Sequence, residues 1–246
     1  MLASGVDADT RDESKFTALN WAANAGRLAV VKLLVEAKAD INAHANKALW
    51  TSLMNAAAAD HADVALFLIE HGADVTPIDA DGYSALSWAA HRGLSEVVKQ
   101  LIARGSDSAG ALIHRVLNGD QAAVGLLIDN GANVNAVASA GRVEYSAGDT
   151  ALLVAAFHDK AEIVSLLLTR GADPNLVPPA EGGMNTALGW AAFHCNANMA
   201  RTLIAHGASL SATNRNGRTA LQSAQSRVPV MEACGSDVLA LLSGVP

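Results

Sequence analysis

One pattern returns seven times along this chain, and it decides what the chain can fold into. Each copy opens with a small triad such as Thr-Ala-Leu, followed by an alanine-rich half-turn. A glycine-like break, an apolar run of the Val-Val-x-Leu-Leu type and a Gly-Ala-Asp-Val-Asn-like turn complete it. The triads begin at Thr17, Thr51, Ser84, Gly110, Thr150, Thr186 and Thr219, with successive spacings of 34, 33, 26, 40, 36 and 33 residues. Self-similarity at such a period marks one supersecondary unit stacked on copies of itself.

Each part of the unit has a physical reading. The hydroxyls of Thr17, Ser84, Thr150 and Thr186 can accept an orphan N–H at the start of a first helix. Ala22-Ala23, Ala89-Ala90, Ala155-Ala156 and Ala191-Ala192 keep that helix thin, so neighbouring units can approach closely. Gly26, Gly93 and Gly119 separate it from a second helix. Val30, Val31, Leu33 and Leu34 in one copy, and Ile163, Val164, Leu166 and Leu167 in another, give that second helix a face to bury. Gly72, Gly105, Gly131, Gly171 and Gly207 supply the left-handed residue that ends it. Lys38 takes this place in the first copy, at a cost of roughly 1 kcal/mol, so local fraying is expected there. A lone helix pair cannot bury its apolar face, and stability is a sum over neighbours.

The copies TALNWAANAGRLAVVKLLVEAKADINA from Thr17, SALSWAAHRGLSEVVKQLIARGSD from Ser84 and TALLVAAFHDKAEIVSLLLTRGADPN from Thr150 resemble the ankyrin-repeat family. The resemblance runs over nearly the whole chain. It implies an all-α repeat solenoid of about seven stacked helix-turn-helix units with short β-hairpin fingers, in a single domain over 1–246. Residues 1–10 read as the tail of an incomplete preceding unit, with the chain a fragment of something longer. Residues 219–246, with a short helix from Asp237 to Leu242, read as a C-terminal cap. Two departures stand out. The family's Pro after Thr is Ala or Ser where the triad keeps its form. Its His is replaced by Asn20, Met54, Ser87, Ile113, Leu153, Gly189 or Gln222. That His ties neighbouring turns together in the family, so its loss bears on the stiffness of the stack.

Bulk properties narrow the function classes. Of 246 residues 51% are hydrophobic and only 4% aromatic, with a formal net charge of −7 and no Lys/Arg run. Nucleic acid and anionic membranes are therefore not expected as partners. No apolar stretch is long enough to span a bilayer, and the N-terminus MLASGVDADT lacks a signal-peptide pattern. Cys195 and Cys234 suggest no disulfide framework. That favours a reducing compartment, hence the cytoplasm, with export into a host cell left open. A monomer is expected.

The irregular spacings carry more functional information than the regular ones. The short spacing before Gly110 predicts a missing finger, with Ser106–Ala109 running straight into a helix. The long spacing after it puts extra residues into the finger Val137–Asp149, and Pro178–Gly183 lengthens the next one. Loop drift would leave the same record. The ends of the first helices also change character. Asn24/Ala25 and Ala58/Ala59 give way to His91/Arg92, Phe157/His158 and Phe193/His194. Trp50 and Tyr83 stand on finger positions and Tyr145 lies in the long finger. In the family these places line a concave face. The nine residues Trp50, Tyr83, His91, Arg92, Tyr145, Phe157, His158, Phe193 and His194 form a candidate partner-binding stripe of the kind that dominates interfaces. Alternatives stay open: Phe157 and Phe193 can pack on each other, and the histidines can be ordinary solvated or capping groups. Trp21, Trp88 and Trp190 recur at one position before Ala-Ala and read as packing.

No P-loop, dinucleotide fingerprint, HExxH or GxSxG occurs. His158, Asp159, His194 and Cys195 match no recognised metal spacing, and Cys195 beside His194 lacks an orienting third group. Neither catalysis, metal nor cofactor is expected. The reading is a module that binds a partner protein on its concave face and fingers. The alternative is the recognition segment of a larger enzyme or effector whose catalytic part lies elsewhere.

Overall fold

A computed structural model describes residues 7–45, 49–139, 145–177, 186–225 and 236–244. The finger at 178–183, the tip of the long finger, the stretch around Val228–Val230, and Cys234 lie outside the described residues.

The helices come in pairs, in chain order: α1 (Ala18–Asn24) and α2 (Leu28–Glu36), α3 (Ser52–Ala58) and α4 (Ala62–Glu70), α5 (Ala85–Arg92) and α6 (Ser95–Ala103). They continue with α7 (Ser108–Leu117) and α8 (Gln121–Asp129), α9 (Ala151–Phe157) and α10 (Ala161–Thr169), α11 (Ala187–Phe193) and α12 (Ala197–Ala205), then α13 (Ala220–Gln225) and α14 (Ser236–Ser243). This is the all-α repeat solenoid that the period predicts. The N-terminal hydroxyls of Thr17, Ser84, Thr150 and Thr186 cap as expected, and Thr51 does so too; each accepts from the N–H three residues on, at 2.9–3.2 Å. Between the helices of each of the first six pairs the chain turns through a left-handed residue. Asp60, Asp159 and Cys195 adopt it as well as the glycines. Lys38 also takes a positive φ of 66°, and its turn is closed. Lys38 and Ala39 N–H still close onto Val35 and Leu34 carbonyls at 3.0 Å.

The chain divides into two compact units, one of Met1–His114 with Ala122–Ala132, the other of Arg115–Gln121 with Asn133–Pro246. In the first, α1 packs on α2 and α3, α3 on α4 and α5, and α4 on α2 and α6. In the second, α9 packs on α10 and α11, α11 on α12 and α13, and α12 on α10 and α14. Alanine pairs such as Ala56-Ala57, Ala89-Ala90 and Ala191-Ala192 are buried between first helices, at 0–2% exposure. Leu68, Leu101, Leu167 and Leu203 fill the space beneath the second helices.

The fingers are slighter than hairpins. Among the described residues each is closed by a single β-bridge: Arg11 to Thr17, Ala45 to Trp50, Ile78 to Ser84, Val137 to Thr150 and Thr213 to Thr219. No finger precedes α7, as the short spacing implied. The helix there starts at Ser108 rather than at Gly110, because the Asp107 carboxylate accepts from Gly110 N–H at 3.0 Å and caps an added turn. At the alanine positions of this copy stand Arg115 and Val116, with Arg115 3% exposed and 3.7 Å from the Asp120 carboxylate.

The missing family His is replaced by other ties. Asn20 donates to the Ser52 hydroxyl at 2.9 Å and the Ala43 carbonyl at 3.3 Å. The turns after the second helices form a ladder. Asp9 accepts from Asp40 N–H, Asn42 from Asp74, Asn135 from Asp173 and Asn175 from Ser209, each at 2.8 Å.

Candidate partner-binding surfaces

The sequence places its nine candidates in both units, and each unit gathers its own set. In the first unit Trp88 is the centre. Its ring lies 5.3 Å from Trp50 and 5.2 Å from Tyr83, both half-buried, and 6.4 Å from the exposed His91. Tyr83 in turn lies 5.1 Å from His114. Asp79, 4% exposed, holds this group in place. It accepts from Tyr83 N–H at 2.8 Å and from the Trp88 indole N–H at 3.4 Å. Arg92 donates Nε to the Ala58 carbonyl at 2.7 Å, so its guanidinium ties two repeats while remaining exposed.

In the second unit Trp190, 9% exposed, has Phe157 at 4.6 Å and Phe193 at 5.5 Å, both edge-on. The two phenylalanines remain 43% and 36% exposed, so they prop against the tryptophan and still present ring surface to solvent. His194 hydrogen-bonds the Phe157 carbonyl at 2.7 Å through Nε2 and lies 5.4 Å from the Phe193 ring. Exposed His158 sits edge-on to Phe157 at 4.8 Å. Edge-to-face pairs of this kind add about 0.5–1.5 kcal/mol beyond area burial.

Three expectations need correction. Tyr145 is only 8% exposed and stands with the core side chains, so it offers no surface to a partner. Trp21 is 48% exposed rather than packed, because the first described pair has no helix before it among the described residues. Cys195 is disulfide-bonded, where the sequence suggested no disulfide. That takes Cys195 out of the weighed metal and nucleophile sets. Of the others in those sets, Asp159 accepts from the Asn196 side chain at 2.8 Å. No group of three or more His, Cys, Asp or Glu among the described residues is arranged to hold a metal ion, and no described helix is long and apolar enough to cross a membrane.

The sequence reading missed four exposed aliphatic side chains. Leu49, Ile78, Val137 and Val177 are 38–47% exposed, and all four lie in fingers. Ile78 and Val137 occupy the bridge position itself. An apolar residue at a closing bridge, with no sheet to cover it, was the available signal.

Comparison with known proteins agrees with the geometry. Models of ankyrin repeats match residues 1–79, 38–110, 86–178 and 190–227. A mouse B-cell lymphoma 3 protein homolog is 36% identical over 106 residues, covering 43% of this chain but 24% of that protein. A glycerophosphocholine phosphodiesterase of Schizosaccharomyces pombe is 30% identical over 101 residues, 41% of this chain and 9% of that protein. The chain thus spans about a quarter or less of the length of these relatives. The crystal structure of the Bcl-3 ankyrin repeat domain superposes with a TM-score of 0.73 at 24% identity, over 94% of this chain and all of that one. An ankyrin repeat domain from Acinetobacter baumannii does so with 0.57 at 30% identity, over 78% of this chain and 98% of that one. The chain belongs to the ankyrin-repeat family, whose repeats are protein–protein interaction modules.

Proposed function

We propose that the chain binds a partner protein through the ends of its first helices and the adjoining fingers. The observation that carries this reading is the exposure of Phe157 and Phe193 at the ends of α9 and α11, whose other side chains are buried. Rings held by Trp190 lose little freedom on binding, which is what makes aromatic anchors effective. His158 and His194 flank them, and Val137 and Val177 extend the apolar area. The first unit adds Trp50, Tyr83, His91 and Arg92, with Leu49 and Ile78. Tyr145 leaves the set because it is buried. The partner is a protein rather than nucleic acid, and the described residues contribute recognition rather than catalysis.

The test compares affinity capture and mass spectrometry for the unaltered chain, a Phe157→Ser/Phe193→Ser variant and a Tyr83→Ala/Arg92→Ala variant. Melting curves serve as a control for folding. Partners captured by the unaltered chain are lost with one or both variants. Undiminished capture by two folded variants places the surface elsewhere.

A second reading has its own support. The matched relatives are several times longer than the shared segment, and one of them is a phosphodiesterase. On that reading these repeats recognise a partner on behalf of a larger enzyme or effector.

A further inference from the structure

The opening face of the first unit is unlike that of the later repeats among the described residues. Thirteen residues after the cap, the second helix carries Val64, Val97 or Met199, each at most 1% exposed and each in a pair stacked behind another. The first copy carries Val30 there, and it is 45% exposed. Leu33 at 57% and Trp21 at 48% extend the uncovered area. With Phe16 and the finger residues Asp7, Thr10, Arg11 and Asp12 they line a groove of about 570 Å³.

A second, independent observation says what belongs in it. After α2, α4, α8 and α10 the chain makes a turn in which a side-chain oxygen accepts from the N–H two residues on. Asp40 accepts from Asn42, Asp74 from Thr76 and Asp173 from Asn175, at 2.8–2.9 Å. Asp7 makes the same bond to Asp9 N–H at 3.0 Å. Asp9 then accepts from Asp40 N–H at 2.8 Å, the rung that Asn42 offers to Asp74. The turn that leaves a second helix is therefore already docked on the first unit, in register, beside an apolar face that such a helix covers in the later pairs.

We propose that this groove is the seat of one further ankyrin-type helix pair that runs into the chain at Asp7. Its second helix presents aliphatic residues at three-and-four spacing to Val30 and Leu33, as α2 and α6 are built to do. The occupant is fixed by continuity with the stacking interface that follows and by the register that Asp9 sets. A second copy of the chain would have no reason to reproduce that rung.

The test extends the chain with its own α3–α4 pair, residues 51–73 joined directly to Asp7, which preserves the turn register because Asp74 and Asp7 are equivalent. The extension raises the melting temperature by several degrees and shifts Trp21 emission to the blue, with Trp21→Phe identifying that signal. Val30→Glu leaves the unextended chain almost unchanged, since the site is open, but abolishes the gain in the extended one. An extension that changes neither melting nor emission overturns the proposal, as does an equal cost of Val30→Glu in both chains. Sedimentation of the unextended chain supplies the other arm. A monomer supports the proposal, whereas a dimer broken by Val30→Glu assigns the face to a second copy and overturns it. Capture of a partner by the aromatic surfaces is unaffected by either outcome.

Discussion

Removing one rung of the turn ladder measures how the stack holds together without the family His. Asn135 is the best place to cut. Its Oδ1 accepts from Asp173 N–H at 2.8 Å and its Nδ2 donates to the Gly171 carbonyl at 3.2 Å, so one side chain makes two bonds to the next repeat. A net hydrogen bond is worth about 0.5–1.5 kcal/mol, and the lower half applies where water can replace it. Asn135→Ala should therefore cost about 1–2 kcal/mol, or roughly 3–6 °C for a chain of this size. Asn42 is the internal control, since its side chain makes only the bond to Asp74 N–H at 2.8 Å. Asn42→Ala should cost about half as much, near 0.5–1 kcal/mol. Urea unfolding gives the magnitudes. Hydrogen exchange resolved by repeat places the loss at the turns 133–135 and 171–175, because a solenoid can open in parts rather than all at once. A cost below about 0.5 kcal/mol for Asn135→Ala, or a larger cost for Asn42→Ala, would refute the reasoning.

Three further outcomes follow from particular residues. Lys38→Gly should stabilise the first unit by up to about 1 kcal/mol in urea unfolding, because Lys38 sits at φ 66° where later turns use glycine. Gly26→Ala should destabilise by at least about 1 kcal/mol, since a Cβ at φ 64° would also lie 2.6 Å from the His61 ring, and a paired His61→Ala change should recover only the steric part. Asp12 responds to pH: the Trp21 indole N–H at 2.7 Å, then the Phe16 amide at 2.9 Å, hold its carboxyl below the usual range. A depressed folded pKa means the interaction is complete above about pH 4 and is lost as pH falls through the folded value. Trp21 emission should therefore change only in acid, and Asp12→Asn should remove that transition.

What the sequence made legible was whatever depends on neighbours along the chain. Thr17, Ser84, Thr150 and Thr186 cap helices three residues away, and the missing finger before α7 is a matter of counting. What it hid depends on partners one repeat away. Tyr145 and Tyr83 both stand in fingers, yet one is buried and the other half-buried, and no local pattern separates them. Trp21, Trp88 and Trp190 share one position and one Ala-Ala sequel, yet they are exposed, half-buried and buried in turn. The same letter means different surface according to what precedes it in the stack.

That difference bears on how the two surfaces work. At the ends of the first helices, Arg92 and His194 each bond a carbonyl of the preceding repeat, Ala58 and Phe157 respectively. Each such side chain therefore spans a repeat boundary at the point where a partner would dock. Binding energy spent on Phe157 and Phe193 also bears on the α9–α11 junction, because both rings rest on Trp190. A bound partner should accordingly slow exchange at that junction more than at α10 or α12. A partner that left the junction unprotected would be binding through the fingers alone. Stability in a solenoid is a sum over neighbouring pairs, so a surface built across one pair couples recognition to the local stacking it rests on.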